Sequence, residues 1–337
     1  MGSGSDTSKR QRAGEFALIE RYFAPLAAQA EGTFGLHNDA AVLPVAAGER
    51  LIATVDTMIQ GRHFLDCPPD LVARKLLRVN LSDLAAMGAE PFGYLLASAW
   101  PLDIEEDWIA EFSRGLAADQ AIYGIGLYGG DTTGTPGPMT LSLTAFGKVA
   151  AGEGVLDRGS VAAGDDFYVT GTIGDAWLGL LALRGELEGL DADSRASLIG
   201  RYRLPEPRMA AGRALLTEGL ARSALDVSDG LAADLGHLLE ASGVGAEIEL
   251  AAVPVGEAAR AALALRQLPP QALLSGGDDY ELLFAAPPDR RDAVAALSRR
   301  LGLPIARIGR ARAERGLVVR GADGAEVALE KPGWTHF

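Results

Sequence analysis

Phe16, Ile19, Phe23 and Leu26 recur three and four residues apart, the spacing of one helix face, and predict a helix over residues 15–28 ended by Gly32 and Gly35. Two short apolar runs, 40–45 and 51–55, are bounded by turn residues and predict strands. Residues 71–87 form a long apolar stretch closed by Gly88, which predicts a helix; 91–99 predict a strand and 104–123 a further helix. Residues 139–146 alternate apolar and polar with period two, the pattern of a half-buried strand on a sheet with one wet face. Beyond a glycine-rich stretch at 150–164, predicted strands (167–170, 224–227, 246–250, 282–285) are mixed with predicted helices (176–187, 208–220, 231–241, 290–301).

This order predicts an α/β (α+β) fold of two domains, each a mixed β-sheet with helices packed on one side. A chain of 337 residues is roughly twice a typical domain, which agrees. The cut is placed at the glycine-rich stretch: a flexible tail at 1–13, an N-terminal domain at 14–150 and a C-terminal domain at 151–337.

Composition narrows the function. A net charge of −14 opposes nucleic-acid binding, because every phosphate would be repelled, and with only four lysines (Lys9, Lys75, Lys148, Lys331) no Lys-rich patch offsets this. The single cysteine, Cys67, excludes an internal disulfide and suits a reducing cytoplasm. No apolar run approaches the ~20 residues that span a bilayer, and the polar start lacks the apolar core of a secretion signal. The expectation is a cytoplasmic protein with neither nucleic-acid nor membrane partners.

Familiar cofactor motifs fail on context. Gly124, Gly126 and Gly129 match a dinucleotide-binding G-x-G-x-x-G, but a predicted helix precedes it and Asp131 to Pro136 follow, whereas the motif works only between a strand and a helix. There is no P-loop, since Gly147-Lys148 is followed by Val149, and four scattered histidines offer no zinc spacing.

More informative are aspartates at strand ends or inside apolar runs: Asp39, Asp56, Asp83, Asp131, Asp226 and Asp229. Each has an ordinary alternative. Asp229 or Ser228 can cap the helix that follows, and Asp56 and Asp131 can be turn residues. An ionised Asp83 in an apolar helix costs several kcal/mol unless compensated, and Arg78 is a candidate partner. Taken together, the carboxylates point to phosphate chemistry through divalent cations, because bare carboxylates repel phosphates whereas Mg²⁺ bridges the two.

The same residues carry a family resemblance. His37-Asn38-Asp39-Ala40, Thr54-Val55-Asp56-Thr57 with Gly61-Arg62-His63-Phe64, and Asn80-Leu81-Ser82-Asp83-Leu84-Ala85-Ala86-Met87-Gly88 resemble thiamine-monophosphate kinase. So do Gly129-Gly130-Asp131-Thr132-Thr133, Asp226-Val227-Ser228-Asp229-Gly230, Gly276-Gly277-Asp278-Asp279-Tyr280-Glu281 and the closing Gly333-Trp334-Thr335-His336-Phe337, all in the family's order. The resemblance implies the fold shared with aminoimidazole-ribonucleotide synthetase and selenophosphate synthetase, a homodimer joined through the N-terminal sheets, and conversion of ATP and thiamine monophosphate to ADP and thiamine diphosphate. It implies several Mg²⁺ ions at Asp39, Thr54, Val55, Asp56, Asp83, Asp131, Asp226 and Asp229. It implies ATP contacts at Gly130, Asp131, Arg158 and Ser228, and contacts with thiamine monophosphate at His63, Asp278 and Trp334.

No catalytic base is expected, since the acceptor's phosphate oxygen is already a nucleophile and transfer is in line. Four features depart from the family pattern: Asn38 in place of an aspartate, Val55 in place of Thr or Ser, the Gln60/Arg62 loop, and Asp278 in place of a glutamate. Two rivals are another ATP-dependent synthetase on the same scaffold and a catalytically silent nucleotide-binding protein. The first lacks the early reactive Cys and Lys of a selenophosphate-type enzyme; intact carboxylates oppose the second.

Overall fold

A computed structural model describes residues 14–38, 40–329 and 333; the expected tail at 1–13, Asp39 and Trp334 lie outside the described residues. The first predicted helix forms α1 (Glu15–Leu18), a π-helical turn (Ile19–Phe23) and α2 (Ala24–Ala27). The elements β1 (Arg50–Ile59), α3 (Pro69–Ala86), β2 (Glu90–Pro101), α4 (Glu106–Tyr123), β3 (Gly126–Thr135) and β4 (Thr140–Val149) follow. They build a four-stranded sheet ordered β1-β4-β2-β3, antiparallel except for the β2–β3 pair. Its alternation is as expected: Leu141, Leu143 and Ala145 of β4 are buried under the helices, while Ser142 and Thr144 face away.

The second half comprises β5 (Asp166–Thr170), α5 (Asp175–Leu183), α6 (Ala192–Arg203), α7 (Met209–Thr217), β6 (Ser223–Asp226), α8 (Leu231–Ser242) and β7 (Gly245–Glu249). It closes with α9 (Glu257–Arg266), β8 (Leu282–Ala286), α10 (Arg291–Leu301), β9 (Ile305–Arg312) and β10 (Gly316–Arg320). A six-stranded mixed sheet runs β10-β7-β9-β5-β8-β6.

Here one detail of the expectation is corrected. Helices cover one side of the N-terminal sheet, but both faces of the C-terminal sheet are covered. Phe167, Val169, Leu283 and Ala285 pack with α8, whereas their neighbours Tyr168, Leu282 and Phe284 pack with α7 and α10. The continuously buried strands β5, β6 and β8 are the signature of that arrangement.

Two further corrections concern strands. The run 40–45 is irregular: it lies against the open side of the N-terminal sheet, with Val42 donating to the Gly32 carbonyl at 2.9 Å and pairing with no neighbouring strand. The glycine-rich 126–135, to which no element was assigned from sequence, is β3.

The two halves meet on α3. Thirteen of its eighteen residues are buried, because it packs on α4, β1 and β4 on one side and on α7 and β6 on the other. A helix covered all round reads as apolar all round, and its few polar residues therefore sit at an interface between domains rather than in water. No helix among the described residues is long and apolar enough to cross a membrane.

Candidate active site

Thr54 and Asp56 are alternate residues of β1 and share the face turned to α3; Val55 between them points the other way and is 59% exposed. The Thr54 hydroxyl donates to Asp83 of α3 at 2.5 Å. Because α3 also packs on β6, Asp83 meets Asp226, the last residue of that strand, which is only 9% exposed.

Electrostatics record the crowding. Burial, then the Asp83 charge, pushes the Asp56 carboxyl up to about 7. Burial also raises Asp83, and the Thr54 hydroxyl and Arg158 pull it back only in part. Asp226 is raised well above the usual carboxylate range, first by burial and then by Asp83, with Asp234 and Asp56 adding to it. No Lys or Arg nitrogen lies within 4.0 Å of these three carboxylates among the described residues. Arg78, the candidate partner of Asp83, turns instead to Asp119 at 2.7 Å and to the Pro205 carbonyl at 3.0 Å.

Below the cluster, two loops of the C-terminal domain are stitched together. Asp278 donates its N–H to the Ser228 carbonyl, Tyr280 to Val227, and Val227 to Glu281, each at 2.8 Å. The approach is so close that a Cβ on Gly277 would stand 2.3 Å from the Ser228 oxygen. Asp278 and Tyr280 both adopt left-handed backbone conformations, φ 72° and 51°, which non-glycine residues enter only under constraint.

That constraint comes from flanking acids the sequence reading left unassigned. Buried Asp279 accepts from the Gly174 and Ala176 N–H groups at the start of α5, at 2.6 and 3.1 Å. Fully buried Glu281 is gripped by Arg201 at 2.7 Å and by both arms of Arg208 at 2.5 and 2.6 Å. Asp234, also unassigned, accepts from the N–H groups of Ser228, Asp229 and Gly230 at 3.0 to 3.1 Å and so shapes the turn before α8. The only sequence signal for Asp234 was an acidic residue in a helix's first turn. The possible ligand atoms of Asp229, Asp234 and His237 lie within 4.8 Å of one another.

The remaining expected residues divide. Arg158 is exposed on the connection between the sheets, its charge felt at Asp83. His63 stands in the loop after β1, its Nδ1 accepting from the Ile59 N–H at 2.9 Å and its carbonyl facing the Lys75 ammonium at 3.4 Å; Lys75 also lies 3.4 Å from Asp278. Gly333 rests against the Asp229 carbonyl, next to the undescribed Trp334. Asp131 is not brought to the Asp56–Asp83–Asp226 group. It is exposed on β3, level with Ala97, and lines with Gly129, Gly130 and Thr144 a cavity of about 600 Å³ on the sheet's open side. Asp39 is undescribed.

Buried oxygen donors that repel one another, with a hydroxyl beside them and no basic partner, suit a hard divalent cation such as Mg²⁺. The buried Ser82 hydroxyl beside Asp226 fits the same reading.

Comparison with known proteins agrees over nearly the whole chain. Residues 37–149 match the AIR synthase related protein N-terminal domain, and 162–322 the AIR synthase related protein C-terminal domain. The thiamine-monophosphate kinase of Caulobacter vibrioides is 43% identical over 328 residues, covering 96% of this chain and 90% of the relative. The crystal structure of thiamine-monophosphate kinase from Stenotrophomonas maltophilia superposes with a TM-score of 0.80 at 40% identity, covering 93% of this chain and 98% of that one. AaThiL complexed with AMPPCP and TMP superposes with a TM-score of 0.75 at 29% identity, covering 98% and 100%.

Proposed function

The chain belongs to the thiamine-monophosphate kinases within the AIR synthase related proteins, and from that premise we propose how its own residues carry out the family's reaction. ATP phosphorylates thiamine monophosphate to thiamine diphosphate in thiamine biosynthesis, and the acceptor phosphate attacks the γ-phosphorus in line. The observation that supports this assignment of roles most directly is the convergence of Thr54, Asp56, Asp83 and Asp226 at the domain seam without a basic partner.

In our reading these four hold Mg²⁺, with Asp229, Asp39 and the Val55 carbonyl as further ligands; Asp131, on the sheet's open side, would hold a separate ion. When bound, the metal neutralises charge on the polyphosphate. Arg158, Ser228 and Gly130 with Asp131 position the nucleotide. His63, Asp278 and Trp334 receive thiamine monophosphate, whose cationic ring suits a carboxylate and an aromatic face. No side chain has to remove a proton, so positioning does most of the work. A 14–150 domain supplies Thr54, Asp56, Asp83, Gly130 and Asp131, and a 151–337 domain supplies Asp226, Asp229, Arg158 and Ser228 from across the seam. The open face of the N-terminal sheet, where Leu51, Val55 and Leu95 are exposed, is the surface for a homodimer, and the cytoplasm is the compartment.

The test is to mix protein, Mg²⁺, ATP and thiamine monophosphate and separate the products by chromatography. Thiamine diphosphate formed in step with ADP is expected. ATP bound without product would reduce the chain to a nucleotide-binding protein.

A further inference from the structure

Lys75 is only 3% exposed, and the one ion pair it makes among the described residues, with Asp278, is long. Its neighbours come from three separate elements: Asp278 Oδ1 at 3.4 Å, the His63 carbonyl at 3.4 Å, and the ring of Tyr202 on α6, 3.8 Å from its centroid. Tyr202 in turn donates to the same His63 carbonyl at 3.2 Å. A buried ammonium carries three donors on a compact charge, and contacts this long leave it held by its surroundings rather than neutralised.

The location supplies the rest. Lys75 and Asp83 are eight residues apart on α3, about 12 Å along its axis at 1.5 Å per residue. At the Asp83 end the helix meets Asp226; at the Lys75 end it meets Asp278, whose loop is bonded through backbone to the Asp226 turn. One rigid helix therefore touches both acidic loops of the C-terminal domain at a fixed separation. Asp278 adopts a strained left-handed backbone, so its carboxylate direction needs an anchor.

We propose that Lys75 is the positioning residue of the acceptor end. It fixes one oxygen of Asp278 and leaves the other, in a side chain 31% exposed, free to meet a cationic group on a phosphorylated acceptor. The spacing from Lys75 to Asp83 on α3 sets the distance between the acceptor's cation and the metal end. This inference rests on the proposed role of Asp278 and adds to it a residue to which the resemblance assigns no role.

The experiment compares wild type, K75M, K75R, D278N and the K75M/D278N double variant, with KM for thiamine monophosphate and for ATP measured separately. K75M is expected to raise the acceptor KM about tenfold with the ATP KM within about twofold, and K75R to recover most of the loss. The double variant should be no worse than D278N alone, because Lys75 acts through Asp278. Equal rises in both KM values, or additive losses in the double variant, would overturn the proposal. If K75M fails to fold, K75R and D278N decide: an acceptor-specific KM rise in D278N, spared in K75R, supports it, and no such split overturns it. If the wild type does not convert thiamine monophosphate, the reading of function fails by itself. The coupling is then read from melting temperatures of the same proteins, non-additive shifts supporting it and additive shifts removing it.

Discussion

The molecule encloses two kinds of carboxylate that differ in company: Asp119 and Asp166 lie deep among arginines, whereas Asp56 and Asp83 are half-buried and Asp226 buried at the seam. Asp119 is fully buried and takes Arg74 at 2.9 Å and Arg78 at 2.7 and 3.1 Å. Asp166 is likewise fully buried and takes Arg291 at 2.6 and 2.9 Å and Arg307 at 3.2 Å. Burial pushes Asp166 up, but the two arginines outweigh it and hold its carboxyl below the usual range. Asp56, Asp83 and Asp226 at the seam have no Lys or Arg nitrogen within 4.0 Å among the described residues, and all are raised although the more distant Arg158 tempers Asp83. Burial alone therefore does not mark a functional acid in this protein. A cluster of mutually repelling acids with neither an arginine nor a backbone N–H partner does, because the missing counter-charge must arrive with the ligand; Asp234 and Asp279, also without arginine, are satisfied by backbone N–H groups instead.

The largest effect that would break this contrast is catalytic. Asp226→Asn should cut turnover by at least about 10²–10³-fold, the scale of losing one preorganised electrostatic group, with melting temperature unchanged or higher. Steady-state rates beside a thermal melt check it, and an active, destabilised variant would place Asp226 with Asp119. The mirror substitution, Asp119→Asn, takes from buried Arg78 its bidentate carboxylate and leaves it only the Pro205 carbonyl at 3.0 Å and a long pair with Glu206 at 3.5 Å. It should destabilise by about 3–5 kcal/mol in urea unfolding while sparing turnover in the folded fraction.

A third effect is smaller and separates the two classes by pH. The folded value of Asp56, about 7, lies above its unfolded value near 4, so the folded state binds more protons across that window. Its contribution is fully present below pH 4 and is lost as pH rises through 7. Metal-free Asp56→Asn protein should lack that loss and melt higher than wild type at pH 8, by on the order of 1–3 kcal/mol, while being inactive with Mg²⁺. A wild type as stable at pH 8 as the variant would mean that Asp56 is already neutralised by protein.

How much of this was legible follows from the same distinction. Period-based reading placed α3, α4 and β4 because their burial repeats at helix or strand spacing. It missed β3, where glycine hides the pattern: a Cβ at Gly130 would stand 1.9 Å from the Leu96 carbonyl, so the strand must give up its side chains. It also assigned no element to α6 and β9, whose arginines break the apolar pattern but serve partners far along the chain, Arg201 reaching Glu281 and Arg307 reaching Asp166. Asp83 stood out as a charge in an apolar helix, yet sequence could not choose between Arg78 and a metal, since that choice depends on Asp119, forty-one residues on. Lys75 and Glu281 carried no local signal, because their partners are assembled only by the fold; Asp234 showed only as an acid in a helix's first turn, its partners being N–H groups four to six residues earlier.

The smallest expected effect is the control that keeps burial and pairing apart as variables. Glu218 pairs with Arg300, as Asp119 pairs with arginine, but in the open, with side chains 40% and 54% exposed. Water already solvates both charges, so the pair replaces one favourable environment with another and costs side-chain entropy to hold. Glu218→Gln should therefore change unfolding free energy by less than about 0.5 kcal/mol, against several for Asp119→Asn, and leave turnover untouched. A loss comparable to that of Asp119→Asn would show that arginine pairing stabilises this protein regardless of depth. The seam carboxylates would then be weakly held groups like any others, with no special demand for a cation.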